Sequence, residues 1–344
     1  MKTTLTRTEC QVMRGIAILG IVLHNYCHWL NGIVRENEYL FHSNNVDGFW
    51  RAISQPDANL LMHVFSFFGH YGVPVFLFLS AYGLTKKYEM KPNDDTHLKF
   101  ISSHFRKLFR MMFVGFVAFL FIDNITPGRH RYAFIDVIAQ LGLFNNLLPH
   151  PEKIIWPGPY WFFGLMMQLC IVWRLLLYKR HWGVTVGLML VCTLLQMLCL
   201  PESEELNRLR YNCIGGMLPF GFGVLYARYF DDVQLSRAHA LCVFGLSVVL
   251  ILMCSNAYLT WYLVPLLVCI ATVAVVKALP SSWLSPLVWV GNISAALFVC
   301  HPITRKVFIT ISRHGDPYTG LLIYLIASLA LAWLFRELLR RIPK

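Results

Sequence analysis

An all-α integral membrane protein, with about ten transmembrane helices and both termini in the cytoplasm, is the fold class the sequence predicts. Three observations carry it. Of the 344 residues, 57% are hydrophobic and only 14% charged, where soluble domains carry about 25% charged residues; such a chain could not cover a water-facing surface. Apolar runs near the roughly 20 residues that a helix needs to cross hydrocarbon recur along its length. Lys and Arg gather in alternate connections between those runs, as they do when held on the cytoplasmic side.

The expected spans are about 12–30, 60–84, 105–123, 159–178, 183–200, 211–229, 239–257, 260–278, 286–308 and 319–337. The first follows Lys2 and Arg7 much as a secretory signal would. His24, Asn25, Tyr26 and His28 stand where a small-residue cleavage site is needed, so a retained helix is expected. The third has a short apolar core, Met111 to Ile122, and the seventh and eighth are joined by a tight turn near Asn256. Ala133 to Leu148 is apolar enough to compete for a further span. Its Asp136, Gln140, Asn145 and Asn146 are costly against lipid, which makes it an interfacial or re-entrant piece.

Sidedness follows from the cations. The inner side holds Lys2, Arg7 and Arg14, then Lys86, Lys87, Lys91, Lys99, Arg106, Lys107 and Arg110 in the 85–110 connection. Arg174, Lys179, Arg180, Arg228, Arg237, Lys277, Arg336, Arg340, Arg341 and Lys344 complete it, so most of the 30 Lys and Arg lie inside. The whole of 1–344 reads as one membrane-embedded domain with no appended soluble domain.

The net charge of +12 is explained by that topology, and with no Arg-rich, aromatic-interleaved tract outside the apolar runs, nucleic acid is not an expected partner. The 10 cysteines are scattered singly, mostly within apolar runs, without the paired spacing of a zinc site or disulfide framework. They read as small buried hydrophobes. No internal repeat is visible, which weakens a transporter built from inverted halves.

Polar groups inside apolar helices are the informative ones, because burying them costs several kcal/mol unless something offsets it. In the first span these are Arg14, His24, Asn25 and His28. At about 100° per residue, His28 lies roughly 40° around the helix from Arg14, Asn25 roughly 20° and His24 roughly 80°. One face thus carries a cation near the inner surface and imidazoles about 15–20 Å further out. In the second span His63 and His70, seven apart, share a face. No carboxylate accompanies them in the pattern, so no metal is expected. Near the outer end of the ninth span His301-Pro302 precedes Arg305 and Lys306, with Ser294 about two turns inward.

Arg14-Gly15-Ile16-Ala17-Ile18 running to His24 resembles the first helix of the acyltransferase family 3 membrane proteins. Gly72-Val73-Pro74-Val75-Phe76-Leu77-Phe78-Leu79-Ser80-Ala81-Tyr82-Gly83 is similar to that family's second-helix signature, with Ala81 where the family usually has Gly. Tyr160-Trp161-Phe162, Leu218-Pro219-Phe220-Gly221-Phe222-Gly223, and Asn292-Ile293-Ser294 with Phe298-Val299-Cys300-His301-Pro302 resemble its later motifs, in family order. The family's Arg and His pair is separated by ten residues. Here nine lie between Arg14 and His24, and Asn25 occupies the position that leaves ten, so His24 and His28 both stand as candidates for the base.

The resemblance implies an O-acyltransferase of the bacterial inner membrane that moves an acyl group, usually acetyl from cytoplasmic acetyl-CoA, to a hydroxyl of an envelope glycan or lipid-linked saccharide. A hydroxyl is a poor nucleophile at neutral pH, and a histidine is suited to take its proton. The catalytic candidates are His24, His28 and Arg14; the donor candidates are Arg106, Lys107 and Arg110, cations matched to CoA phosphates. Arg106 and Arg110, four apart, share a helix side. Substrate-site candidates are Asn25, His70, Ser80, Trp161, Ser294 and His301, with Trp50, Arg129, Arg131 and Trp156 as loop residues able to meet a sugar. The competing reading is a non-enzymatic carrier or exporter of a glycolipid or small solute, which has no reason to bind a thioester.

Overall fold

The computed structural model describes residues 5–91, 95–230, 235–280 and 284–341. Lys2 and Lys344, and residues 92–94 of the 85–110 connection, lie outside the described residues. In chain order the helices are α1 (Arg7–Cys27), α2 (Ser43–Ser54), α3 (Leu60–Phe68), α4 (Gly72–Tyr88), α5 (His97–Ile125), α6 (Phe134–Leu141), α7 (Pro151–Ile154) and α8 (Trp161–Val172). There follow α9 (Trp182–Met197), α10 (Glu204–Tyr211), α11 (Cys213–Tyr229), α12 (Arg237–Cys254), α13 (Tyr258–Trp261), α14 (Val264–Ala278), α15 (Ser285–His314) and α16 (Pro317–Arg341). No strand occurs among the described residues.

Every segment expected to span is helical. Six are both long and apolar enough to cross a bilayer: Leu60–Tyr88, His97–Ile125, Gly158–Leu177, Arg237–Cys254, Ser285–His314 and Pro317–Arg341. Trp182–Met197 and Val264–Ala278 are apolar but shorter. The third span, short by its apolar core, is a 29-residue helix, because its polar first half from His97 onward continues the same helix. Between α12 and α14 the chain makes the extra turn α13 instead of one tight reversal. The 133–148 stretch forms the short α6 and a 3₁₀ turn at Asn145–Leu147, with Phe134 and Ile135 exposed. α12 likewise turns Leu241, Leu246, Val249 and Met253 outward, a surface suited to lipid rather than water.

The centre of the bundle is α1. Thr6 and Glu9 form a reciprocal capping box at its start, each side chain on the other's main-chain N–H at 3.1 and 2.8 Å. One side of the helix packs along α15, where a Cβ on Gly291 would lie 1.9 Å from the Gln11 carbonyl oxygen, so only glycine allows that approach. Its other side meets the joint between α3 and α4, a 3₁₀ turn at Gly69–Tyr71. α16 backs α15, and α11 lies against α4 and α9. Several basic residues at the expected inner side are held by carboxylates: Arg228 makes two bonds to Glu89, at 2.7 and 2.8 Å, and Lys277 lies 2.9 Å from Glu9. Arg14 has no hydrogen-bond or ion-pair partner among the described residues.

Candidate active site

The last turns of α1 carry His24, Asn25 and His28 to the end of the helix opposite Arg14, about 15 Å away by the helical rise. There they form the wall of a cavity of ≈ 280 Å³. The segment after α1 folds back over them and brings Glu36, Glu38 and Tyr39; the 3₁₀ turn brings His70; α8 and its approach bring Trp156 and Trp161; α15 brings Arg305.

His24 is buried, and its Nδ1 lies 2.8 Å from the main-chain oxygen of Ser66. A carbonyl can only accept, so Nδ1 carries the proton and Nε2 presents a lone pair. Nε2 lies 3.8 Å from a Glu38 carboxyl oxygen, too long for a direct hydrogen bond. The His28 ring lies beside that of His24, tilted to it by 41° with centroids 4.7 Å apart, and its Nδ1 lies 3.1 Å from Glu36 Oε1. His70 is 5.4 Å from His24, ring to ring. Arg305 donates to the main-chain and side-chain oxygens of Asn25 at 3.1 and 3.3 Å, with its guanidinium over the Trp29 ring.

Several buried polar atoms here have no partner among the described residues: both ring nitrogens of His70, Nε2 of His28, Oε2 of Glu36 and Nε1 of Trp156. Buried polar groups are otherwise almost always hydrogen-bonded, so this wall has unused donors and acceptors for a polar ligand. The two carboxyls differ in charge. Burial, and then the neighbouring Glu36, push the Glu38 carboxyl up to about 8, so it holds its proton at neutral pH. Burial alone would raise Glu36 as well, but His28 and His24 beside it hold it below the usual carboxylate range.

Of the residues singled out from the sequence, His24, His28, Asn25, His70 and Trp161 line this one cavity. His301 is fully buried, with its Nδ1 on the Leu297 carbonyl and its ring 5.8 Å from that of Phe298, which does line it. Ser294 is buried further along α15, and Ser80 is half-buried on α4; neither lines the cavity. His63 is engaged elsewhere, accepting from the Val34 N–H at 3.1 Å with Nε2 3.4 Å from Asp57. Among the donor candidates Arg106 is exposed and Arg110 donates to the Leu339 carbonyl of α16, while Lys107 lies within electrostatic reach of both Arg14 and Lys87.

Sequence reasoning missed Glu36 and Glu38, and with them the carboxylate thought absent beside the histidines. His24, His28 and Glu36 bring ligand atoms within 4.8 Å of one another, a set able to hold a metal ion. The only signal was two glutamates two apart, eight residues beyond His28, in a segment with no periodicity to orient it.

A family model described as an acyltransferase domain matches residues 8–337, from the first turn of α1 to the last turns of α16. No curated protein and no solved structure matches the chain.

Proposed function

The chain belongs to the acyltransferase domain family, and on that premise we propose that it is an integral membrane O-acyltransferase that moves an acyl group, acetyl in the first instance, from cytoplasmic acyl-CoA to a hydroxyl of an envelope glycan or lipid-linked saccharide. In this reading all ten apolar helices cross the bacterial inner membrane, both termini are cytoplasmic, and the histidine cavity opens outward.

The observation that carries the reading is the tautomer of His24. Its Nδ1–H is committed to the Ser66 carbonyl, so Nε2 is unprotonated and turned toward the cavity. The acceptor hydroxyl gives its proton to Nε2 as its oxygen attacks the thioester carbonyl. The C–O ester bond forms, the C–S bond breaks, and the thiolate leaves as CoA thiol once protonated. Arg305 supplies fixed positive charge on the wall where the oxyanion develops. Glu38, protonated, and Glu36, ionised, offer one donor and one acceptor to the acceptor's neighbouring hydroxyls. This assignment favours His24 over His28 as base, since His28 is tied to Glu36.

The donor enters from the other end of α1. Arg14, without a partner among the described residues, Lys107 within its electrostatic reach and Arg106 beside Lys107 on α5 form a cationic mouth for CoA phosphates. Arg110 completes that mouth while its bond to the Leu339 carbonyl holds α16. The test is thiol release from acetyl-CoA by the purified protein with membrane glycan extract as acceptor. Wild type should release thiol in proportion to ester formed, and His24→Ala should not. Equal release by both would discard the mechanism.

A further inference from the structure

Beyond His70 the cavity continues into a second, much smaller one. The two share Glu38, Tyr39, His70, Val73 and Trp161. The smaller lies between α4, α8 and α11, where Pro74, Leu77, Leu165, Gly216 and Pro219 line it, with Tyr71 and Arg210, the latter engaged by the Glu38 carbonyl and Gln196, on its wall. A Cβ on Gly216 would lie 3.1 Å from a δ-carbon of Leu77 and 3.1 Å from one of Leu165, so the floor is closed by two leucine tips over a glycine. Its volume is ≈ 40 Å³. At about 10–15 Å³ for each water-sized group, that is room for roughly three heavy atoms.

His70 stands at the junction, buried to 4% exposure, 5.4 Å from His24, with both ring nitrogens unpartnered. A neutral imidazole has one N–H to donate, and this ring lines both cavities. Resting on the acyltransferase reading, we propose that the small cavity is the acyl pocket: the carbonyl oxygen of the thioester accepts from His70, the alkyl group lies against Leu77 and Leu165, and the floor limits the transferred chain to two or three carbons. The step is the balanced transfer given above. The hydroxyl proton passes to His24 and on to the departing thiolate, and the oxyanion is held by the His70 N–H, in the field of the Arg305 charge on the same cavity wall, until the C–S bond breaks.

The geometry makes chain length a property of two leucines. Removing the Leu77 isobutyl tip opens the floor toward Gly216, whereas a methyl on Gly216 fills it. The experiment is calorimetric binding of CoA and its acetyl, propionyl, butyryl and hexanoyl esters to the full chain in detergent, which needs no acceptor. Wild type should bind the acetyl and propionyl esters at least tenfold more tightly than the hexanoyl ester. Leu77→Ala should bring all four within about threefold, and Leu165→Ala is the second variant should the first fail to fold. Gly216→Ala should reduce acetyl-CoA toward the affinity of unesterified CoA. Wild-type affinity independent of chain length, or a folded Leu77→Ala or Leu165→Ala with unchanged selectivity, overturns the acyl pocket. Failure of CoA and every ester to bind removes the acyl-CoA reading itself.

Discussion

Gly69 lies so close to His24 that a Cβ on the glycine would sit 2.7 Å from the histidine Cβ and 2.5 Å from the Gly20 carbonyl oxygen. This approach of the α3–α4 joint to α1 is what lets the Ser66 oxygen reach His24 Nδ1. Gly69→Ala should therefore force the two elements apart. Overpacking of this kind costs about 1–3 kcal/mol, and the bond to Ser66 is the first casualty. Thermal unfolding in detergent should show the lost stability, and acyl transfer should fall more than stability does. A variant with wild-type turnover would mean that the bond does not orient the base.

His24→Asn separates orientation from proton transfer. An asparagine amide can still donate to the Ser66 carbonyl, yet it has no titratable nitrogen. The variant should fold and insert as wild type does and lose about 10²–10⁴ in transfer rate, the usual worth of a general base. Should His24→Asn retain its rate while His28→Asn does not, the base is His28.

Glu38 should leave a signature in the pH dependence of stability. Its carboxyl is held at about 8 in the folded chain against an ordinary 4.5. The folded state therefore binds this proton more tightly, and stability falls as pH rises from about 4.5 to about 8, levelling off beyond. Glu36 has the opposite slope, but because its folded value lies below the ordinary one its contribution is lost only beneath that window. Glu38→Gln, uncharged throughout, should unfold at the same temperature as wild type near pH 4.5 and at a higher one at pH 9. Parallel curves for the two proteins would show that Glu38 is an ordinary, solvated carboxylate.

At the donor end, Lys107→Ala, Arg106→Lys and Arg110→Lys should each weaken acetyl-CoA binding by about 1.5–3 kcal/mol, the range for a hydrogen bond to a charged group. Arg110→Lys should also loosen α16, seen as faster proteolysis at the C-terminal end, because it loses the bond to Leu339. Calorimetry that finds all three variants at wild-type affinity would leave these cations as topology signals.

Sidedness is checked with single cysteines in a background lacking the native ones. A membrane-impermeant thiol reagent added to intact cells should label position 45 and miss position 91. The reverse pattern would invert the proposed topology.

The helices were legible because twenty-residue apolar runs have few other uses, and the stripe of His24, Asn25 and His28 was legible because helical spacing is fixed before any tertiary structure forms. What the spacing could not supply was the partner of each stripe. Ser80 and Ser294 sit in well-marked apolar helices, but which face meets a cavity depends on packing between helices, and neither lines the histidine cavity. Glu36 and Glu38 were invisible for the converse reason: a segment with no regular period has no predictable face, and only its fold back onto α1 brings them to the histidines. Lys107 lies about 100° around the helix from Arg106, so spacing alone separates it from the Arg106 and Arg110 side, yet it is the donor candidate within electrostatic reach of Arg14.

The nearness of His24, His28, Glu36 and Glu38 along the chain has a bearing on how such proteins diversify. Base and carboxyls occupy one stretch of fifteen residues, 24–38, while the apolar floor of the acyl pocket comes from three distant helices. A single short recombination across that stretch can exchange base and carboxyls together, leaving the leucine floor of the acyl pocket untouched. Donor choice has no such cassette and changes only by point substitution within a packed core.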